Sequence, residues 1–248
     1  MRILIIGGGG REHAIARKLH EEGHEIMAAP GNPGISKFGL CEPDLDINNQ
    51  NDISDYVIDK EIDFTFVGPE KPLADGLVDH FNQQGLPIFG PTKAAAQIEA
   101  SKKFCCSLLA DANVPIPRTM QFPHFEAMKR AALERGSNMV LKYSGLAAGK
   151  GAEVVRGAAE LPEALARMEK FANHDYFLIQ DLLEGPEMSL LVLTDSVDHL
   201  FLSSAQDYKP LHVGGPNTGG MGGFSPHHLL TPKMWQDIET KIIRPTIK

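Results

Sequence analysis

Apolar and polar positions alternate in two rhythms over residues 1–90. Arg2-Ile3-Leu4-Ile5-Ile6 is a short β-branched run that ends on the glycines Gly7–Gly10. From Glu12 to Glu22, Ala14, Ile15 and Leu19 recur at helical spacing, and Gly23 stops the helix. A second strand is expected at His24–Ala28, then the loop Pro30-Gly31-Asn32-Pro33-Gly34. Asp52–Lys60 reads as a helix and Asp63–Val67 as a buried strand closed by Gly68-Pro69. A helix over Leu73–Gln84 and a strand at Leu86–Phe89 complete the series. Strands alternating with helices predict βαβ units and a parallel sheet covered on both faces.

Gly90-Pro91-Thr92 breaks this pattern. Lys93–Ala110 reads as one long helix, ended by Asn113 and Pro115. The rhythm then changes: a helix near Phe125–Arg135, a strand Met139–Lys142, a glycine-rich loop Gly145–Gly151, a strand Glu153–Arg156 and a helix at Leu161–Phe171. Strands at Tyr176–Gln180, Glu187–Thr194 and His199–Ser204 follow closely on one another, which predicts an α+β unit with an antiparallel sheet. Pro232–Ile243 reads as an amphipathic helix with Trp235, Ile238 and Ile242 on one face, and no later element answers that stripe. More chain is expected to belong here.

Composition narrows the class. The 248 residues are 42% hydrophobic and 23% charged, enough for a real core and too ordered in pattern for a disordered chain. Asp and Glu outnumber Lys and Arg by 32 to 24, a net charge of −8. That argues against a non-specific nucleic-acid binder or a polybasic membrane protein, while leaving room for a local basic pocket. Cys41, Cys105 and Cys106 are odd in number and form no C-x-x-C, so neither a disulfide framework nor a zinc spacing is present. With no leader pattern at the N-terminus, a reduced, cytoplasmic protein is expected.

Three glycine-rich stretches carry the candidate chemistry. The first strand–glycine–helix turn can bring N–H groups and a helix N-terminus to a phosphate or carboxylate, or be a tight turn without ligand. It lacks the nicotinamide fingerprint: counted from Gly7 as the first, the sixth position is Glu12, and no carboxylate closes the second strand. Lys142-Tyr143-Ser144-Gly145 through Gly149-Lys150-Gly151 departs from a P-loop and fits a strand–loop–strand hairpin folding over a triphosphate, with Lys142 aimed at the same charge. The glycine-dense run Gly215–Gly223, beside Asp207-Tyr208-Lys209, is too poor in side chains for a packed element and reads as a rigid loop around a small polar substrate. His227-His228 reads as a solvated loop pair, and Cys105 and Cys106 as small packing residues.

Taken together and in order, Gly8-Gly9-Gly10-Arg11-Glu12-His13-Ala14, Pro30–Gly34, Val67-Gly68-Pro69-Glu70, the lysine of Ala100-Ser101-Lys102, Gly145–Gly151 and Gly215–Gly222 closely resemble the glycinamide ribonucleotide synthetases, ATP-grasp ligases of purine biosynthesis, along the whole chain. The resemblance implies a Rossmann-like α/β pre-ATP-grasp domain with a parallel sheet over residues 1–92. An incomplete α+β ATP-grasp unit would follow over 93–248, with 120–190 covering the nucleotide. It implies that glycine is joined to 5-phosphoribosylamine at the expense of ATP, through glycyl phosphate, with no nucleic-acid or membrane partner.

By position, Lys102 and Lys142 resemble the lysines on the ATP phosphates. Gly145, Gly149, Lys150 and Gly151 belong to the loop over them, Gln180, Asp181 and Leu183 to the adenine hinge, and Glu187 to the ribose contact. Asp207, Lys209, Asn217, Thr218, Gly219 and Gly220 resemble the substrate segment, with Gly9, Gly10, Arg11, Glu12, Gly31 and Asn32 on the phosphoribosyl side. Three departures stand out. Ser144 replaces the family's acidic residue, only Pro210–Gly214 separate the D-x-K cluster from G-P-N-T, and the E-F-N-x-R-F-G-D-P-E segment that would bind Mg2+ (or Mn2+) lies beyond Lys248. Negligible turnover is therefore expected of these residues alone. Two other readings are a non-catalytic nucleotide-binding remnant and an ATP-grasp ligase for another acid and amine.

Overall fold

A computed structural model describes residues 1–147, 151–212 and 217–247, and divides the chain into two compact units, Met1–Ala100 and Ser101–Lys248. In the first, β1 (Arg2–Gly7) leads into α1 (Gly10–Glu21), β2 (Glu25–Pro30), β3 (Leu40–Cys41), α2 (Gln50–Asp59) and β4 (Phe64–Val67). Next come α3 (Glu70–Asp75), α4 (Leu77–Gln84), β5 (Ile88–Phe89) and α5 (Lys93–Ala100). The strands form one parallel sheet in the order β3-β2-β1-β4-β5. The unbroken apolar run of β1 follows from burial on both faces. Leu4 and Ile6 pack with Ile53, Val57, Leu77 and Phe81, while Ile3 and Ile5 pack with Ala16 and Ile35 on the other side.

Two expected helices are broken. Leu73–Gln84 is interrupted at Gly76, which takes a left-handed φ of +100° and so ends α3 and opens α4. Lys93–Ala110 is interrupted at Ser101, an extended residue whose hydroxyl accepts the Phe104 N–H at 3.2 Å and starts α6 (Lys102–Asp111) as an N-cap.

The second unit continues with β6 (Thr119–Phe122), α7 (Phe125–Arg135), β7 (Met139–Tyr143), β8 (Ala152–Val155), α8 (Leu161–Met168) and β9 (Phe177–Asp181). These strands form an antiparallel sheet in the order β6-β9-β7-β8, the expected α+β arrangement. Met139, Leu141, Phe177 and Ile179 face a core closed by Phe125, Met128, Leu161, Leu165 and Met168 from α7 and α8. By the two-residue period of a strand, Lys142 and Gln180 stand on the opposite face.

Hairpin β10 (Val192–Thr194) and β11 (His199–Phe201) is followed by β12 (Gln206–Pro210) paired with β13 (Asn217–Phe224). The glycine-dense segment thus contributes a strand, contrary to the expectation of a loop alone. A Cβ on Gly223 would come within 2.8 Å of the Gln206 carbonyl oxygen, so glycine lets the two strands approach. The terminal helix is α9 (Pro232–Ile238), a π-helical segment Glu239–Ile243 and α10 (Arg244–Ile247). Its stripe is partly answered: Trp235 meets Phe201 edge-on, ring centroids 5.1 Å apart.

Candidate functional site

β7 sets Lys142 opposite Leu178 of β9 and Ala152 of β8. Its ammonium is largely withdrawn from water and makes no hydrogen bond or ion pair with a described residue. Burial is the main force holding its pKa below the ordinary 10.5; the Cys106 side chain acts to raise it and the Lys102 ammonium lowers it further. A half-buried cation on which a second cation acts is unfavourable in isolation and favourable toward a polyanion.

Lys102 opens α6, and its Nζ donates to the Gly145 carbonyl at 3.0 Å. Ser144, buried between β7 and that carbonyl, closes the helix end. Its carbonyl accepts the Lys102 N–H at 2.8 Å, and its hydroxyl accepts the Lys103 N–H at 2.9 Å. Its own N–H donates to the Tyr176 carbonyl at 3.0 Å. With Ser101 holding the Phe104 N–H, the first-turn amides of α6 are all engaged within the chain. Charge at this end of the helix is offered by lysine heads, and the amides are not open to a ligand.

The expected adenine hinge is only partly turned toward this face. Gln180 is buried, and its amide donates to Thr119 Oγ1 at 2.9 Å and to Cys106 Sγ at 3.5 Å. Asp181 instead pairs with Arg135 of α7 at 2.8 Å. Leu183 is exposed, and Glu187 lies before the Ser189–Ala205 bridge. Cys105 and Cys106 are not core residues: both are half-buried, and Cys106 borders a cavity of about 410 Å³ with Asp111, Arg118 and Thr119. α6 carries no fully buried side chain, because its inner face meets the polar side of the sheet. The Gly151 carbonyl accepts the Tyr143 N–H at 2.9 Å and closes the loop begun at Gly145. Gly149 and Lys150 lie outside the described residues.

In the first unit the glycine turn already holds a carboxylate. Glu12 is buried, and its Oε2 accepts the Gly9 N–H at 2.6 Å. Its Oε1 accepts from Arg11 Nε at 3.2 Å, while Arg11 Nη2 donates to the Gly68 carbonyl. A Cβ on Gly8 would overlap the Gly31 carbonyl oxygen, so Gly8 and Gly31 bring two loops together. Asn32 locks them, donating to the Gly8 carbonyl at 3.0 Å and accepting the Gly34 N–H at 2.8 Å. Gly10 is exposed at the start of α1.

Asp207 accepts from the Ser189 hydroxyl at 3.5 Å and Thr218 from the Gly220 N–H at 3.0 Å; Lys209 lies within β12 and Asn217 and Gly219 within β13. His227 is not solvated as expected. It is buried, its backbone N–H donates to Ser204 Oγ at 3.1 Å, and its ring stacks on His228 at 5.6 Å.

The two halves match two family descriptions end to end: residues 1–99 the phosphoribosylglycinamide synthetase N domain, and residues 100–248 its ATP-grasp (A) domain. The chain belongs to the phosphoribosylglycinamide synthetase family. A phosphoribosylamine–glycine ligase from Leifsonia xyli is 40% identical over 252 residues, covering 100% of this chain and 60% of the relative. The chain therefore spans about 60% of the length of the curated relatives it matches. The fold is similar to the crystal structure of a phosphoribosylamine–glycine ligase from Thermotoga maritima, TM-score 0.79 at 24% identity, covering 100% of this chain and 60% of that one. It is also similar to a biotin carboxylase from Campylobacter jejuni in complex with β,γ-ATP, TM-score 0.74 at 18% identity, over 99% and 58% of the two chains.

In this phosphoribosylglycinamide synthetase chain, no three His, Cys, Asp or Glu side chains gather as metal ligands among the described residues. No helix among them is long and apolar enough to cross a membrane. The contacts of Ser144, Thr119 and Cys106 were not legible as site features. A serine or cysteine carries no periodic signal, and only tertiary pairing brings these three beside Lys102, Lys142 and Gln180.

Proposed function

We propose that the second unit binds ATP, and that the chain forms the nucleotide- and substrate-binding part of an enzyme joining glycine to 5-phosphoribosylamine, giving glycinamide ribonucleotide, ADP and phosphate. The observation that carries the reading is the Lys102–Lys142 pair: two ammonium groups that act on each other, one of them half-buried without a carboxylate. A triphosphate supplies the missing charge. A carboxylate is a poor electrophile, and phosphorylating it requires two anions to meet, so cations on a partly dry face are what this chemistry needs.

In this reading Lys102 and Lys142 hold the phosphates, residues 145–151 cover them, and the chain from Gln180 to Leu183 lies along the adenine. Residues 120–190 make up that covering part. Asp207 and the Asn217–Gly220 segment serve the glycine side. Gly9–Glu12 with Asn32 serve the ribosyl side, where the Glu12 carboxylate suits a hydroxyl or amine better than a phosphate. Because the described residues assemble no metal ligands, no role is assigned to them toward Mg2+. Three cysteines, an odd number with no C-x-x-C spacing, support placing the protein in a reducing, cytoplasmic compartment.

The test is an ATP isotherm together with ADP release measured with glycine and freshly generated phosphoribosylamine, each omitted in turn. ATP is expected to bind, and any ADP release is expected to need both partners. Release indifferent to glycine contradicts the ligase reading; absence of an isotherm contradicts the nucleotide site.

A further inference from the structure

We propose that Ser144 is the positioning residue of the phosphate site: its hydroxyl fixes Lys102 relative to Lys142, and it tunes triphosphate affinity through that pair without touching the ligand. This rests on the nucleotide reading above.

Three strands of geometry converge on this one residue. Ser144 follows Lys142 by two positions and precedes Gly145, the acceptor of the Lys102 ammonium. Its carbonyl and hydroxyl take the N–H groups of Lys102 and Lys103, so one residue at the end of β7 holds the helix end that carries the second cation. The N–H of Ser144 is anchored in turn on the Tyr176 carbonyl, just before β9. The Tyr176 ring lies 3.4 Å beneath the Lys103 ammonium.

An ordinary N-cap joins a helix to the residue before it. Here Ser101 already fills that place, and Ser144 adds a second clamp from 43 residues away in sequence, 41 from Lys103. The two hydroxyls lie within hydrogen-bond reach of each other, 3.4 Å apart. Two like charges repel, so the distance between the ammonium groups is set by whatever anchors their backbones. On the α6 side that anchor is Ser144. Losing the hydroxyl frees the Lys103 N–H and lets the helix end move away from β7, widening the pair against a ligand that needs both.

The experiment titrates ATP into the intact chain and into Ser144→Ala, Ser144→Asn, Lys102→Ala and the Ser144→Ala/Lys102→Ala double variant, with a melting curve for each. Ser144→Ala is expected to bind about five- to tenfold more weakly, the scale of a lost helix-end hydrogen bond. Asn restores an acceptor and is expected to recover most of the affinity. In the Lys102→Ala background the serine change is expected to cost little further, because its effect runs through that lysine. Unchanged affinity in Ser144→Ala, or the same loss with and without Lys102, overturns the positioning role. Should Ser144→Ala melt before it can be titrated, Ser144→Asn decides: folded with weakened binding contradicts the proposal, folded with affinity kept supports it. If the unaltered chain takes up no ATP, it is the nucleotide reading that has failed.

Discussion

At the scale of single residues, Lys142 sets a fold requirement against a site requirement. Burial lowers its pKa because the charged form loses solvation that no carboxylate replaces. The folded chain therefore holds fewer protons on this lysine than the unfolded chain between the depressed value and 10.5, and stability rises with pH across that window. Below the depressed value the whole cost is present. Replacing Lys142 by Met should thus raise stability by about 0.5–2 kcal/mol near neutral pH. The gain should shrink as the pH approaches that of an unperturbed lysine. Urea unfolding of both proteins at about pH 7 and pH 10 checks this; a destabilised variant at the lower pH contradicts it. By the same sign, ATP affinity is expected to fall at a lower alkaline pH than an exposed lysine would give, since the neutral amine no longer meets the phosphates.

At the scale of elements, the turn between β1 and α1 is built around a carboxylate. Gly7, Gly9 and Gly68 all lie where a Cβ would press on Glu12. Gly68→Ala is expected to push Glu12 off the Gly9 N–H and cost about 1–3 kcal/mol, seen as a lower urea midpoint. An unaltered midpoint shows that the turn can relax around the methyl. The strand and helix rhythm of this unit was legible because β1 and β2 are buried on both faces, and β4 and α1 on one. The helix breaks were harder to read. Gly76 and Ser101 sit inside stretches with good helical periodicity, and what stops them is a left-handed residue in one case and a side-chain cap in the other. The strand β13 left no trace in the pattern, since glycines alternate nothing; its pairing with β12 is a backbone property. His227 read as a polar loop residue, yet it is buried beneath its own turn, with Nδ1 accepting the Leu229 N–H at 3.2 Å.

At the scale of the molecule, a chain with net charge −8 sets the Lys102 ammonium against the half-buried Lys142 ammonium. Its acidic balance gave no hint of where its cations cluster. The fold classes of the two units could be read from the strand and helix rhythm, and the family from the order of glycine motifs. The geometry that joins Lys102, Ser144 and Lys142 could not, because it depends on α6 meeting β7 across 43 residues of chain. The two units have separate cores, so damage at the Glu12 turn is expected to leave nucleotide affinity of the second unit intact. Titrating Gly68→Ala with ATP checks that independence, and a loss of affinity as large as that of a lysine variant contradicts it.

The measurement that bears most directly on the central claim is calorimetric titration of ATP into the intact chain and into Lys142→Met at neutral pH, each first shown to be folded by its melting curve. The account predicts a saturable isotherm for the first and at least about a hundredfold weaker binding for the second, the loss of a charge-assisted contact on a desolvated face. Equal affinity in the two proteins would take Lys142 out of the phosphate site, and with it the reason for reading this face as one that binds a nucleotide.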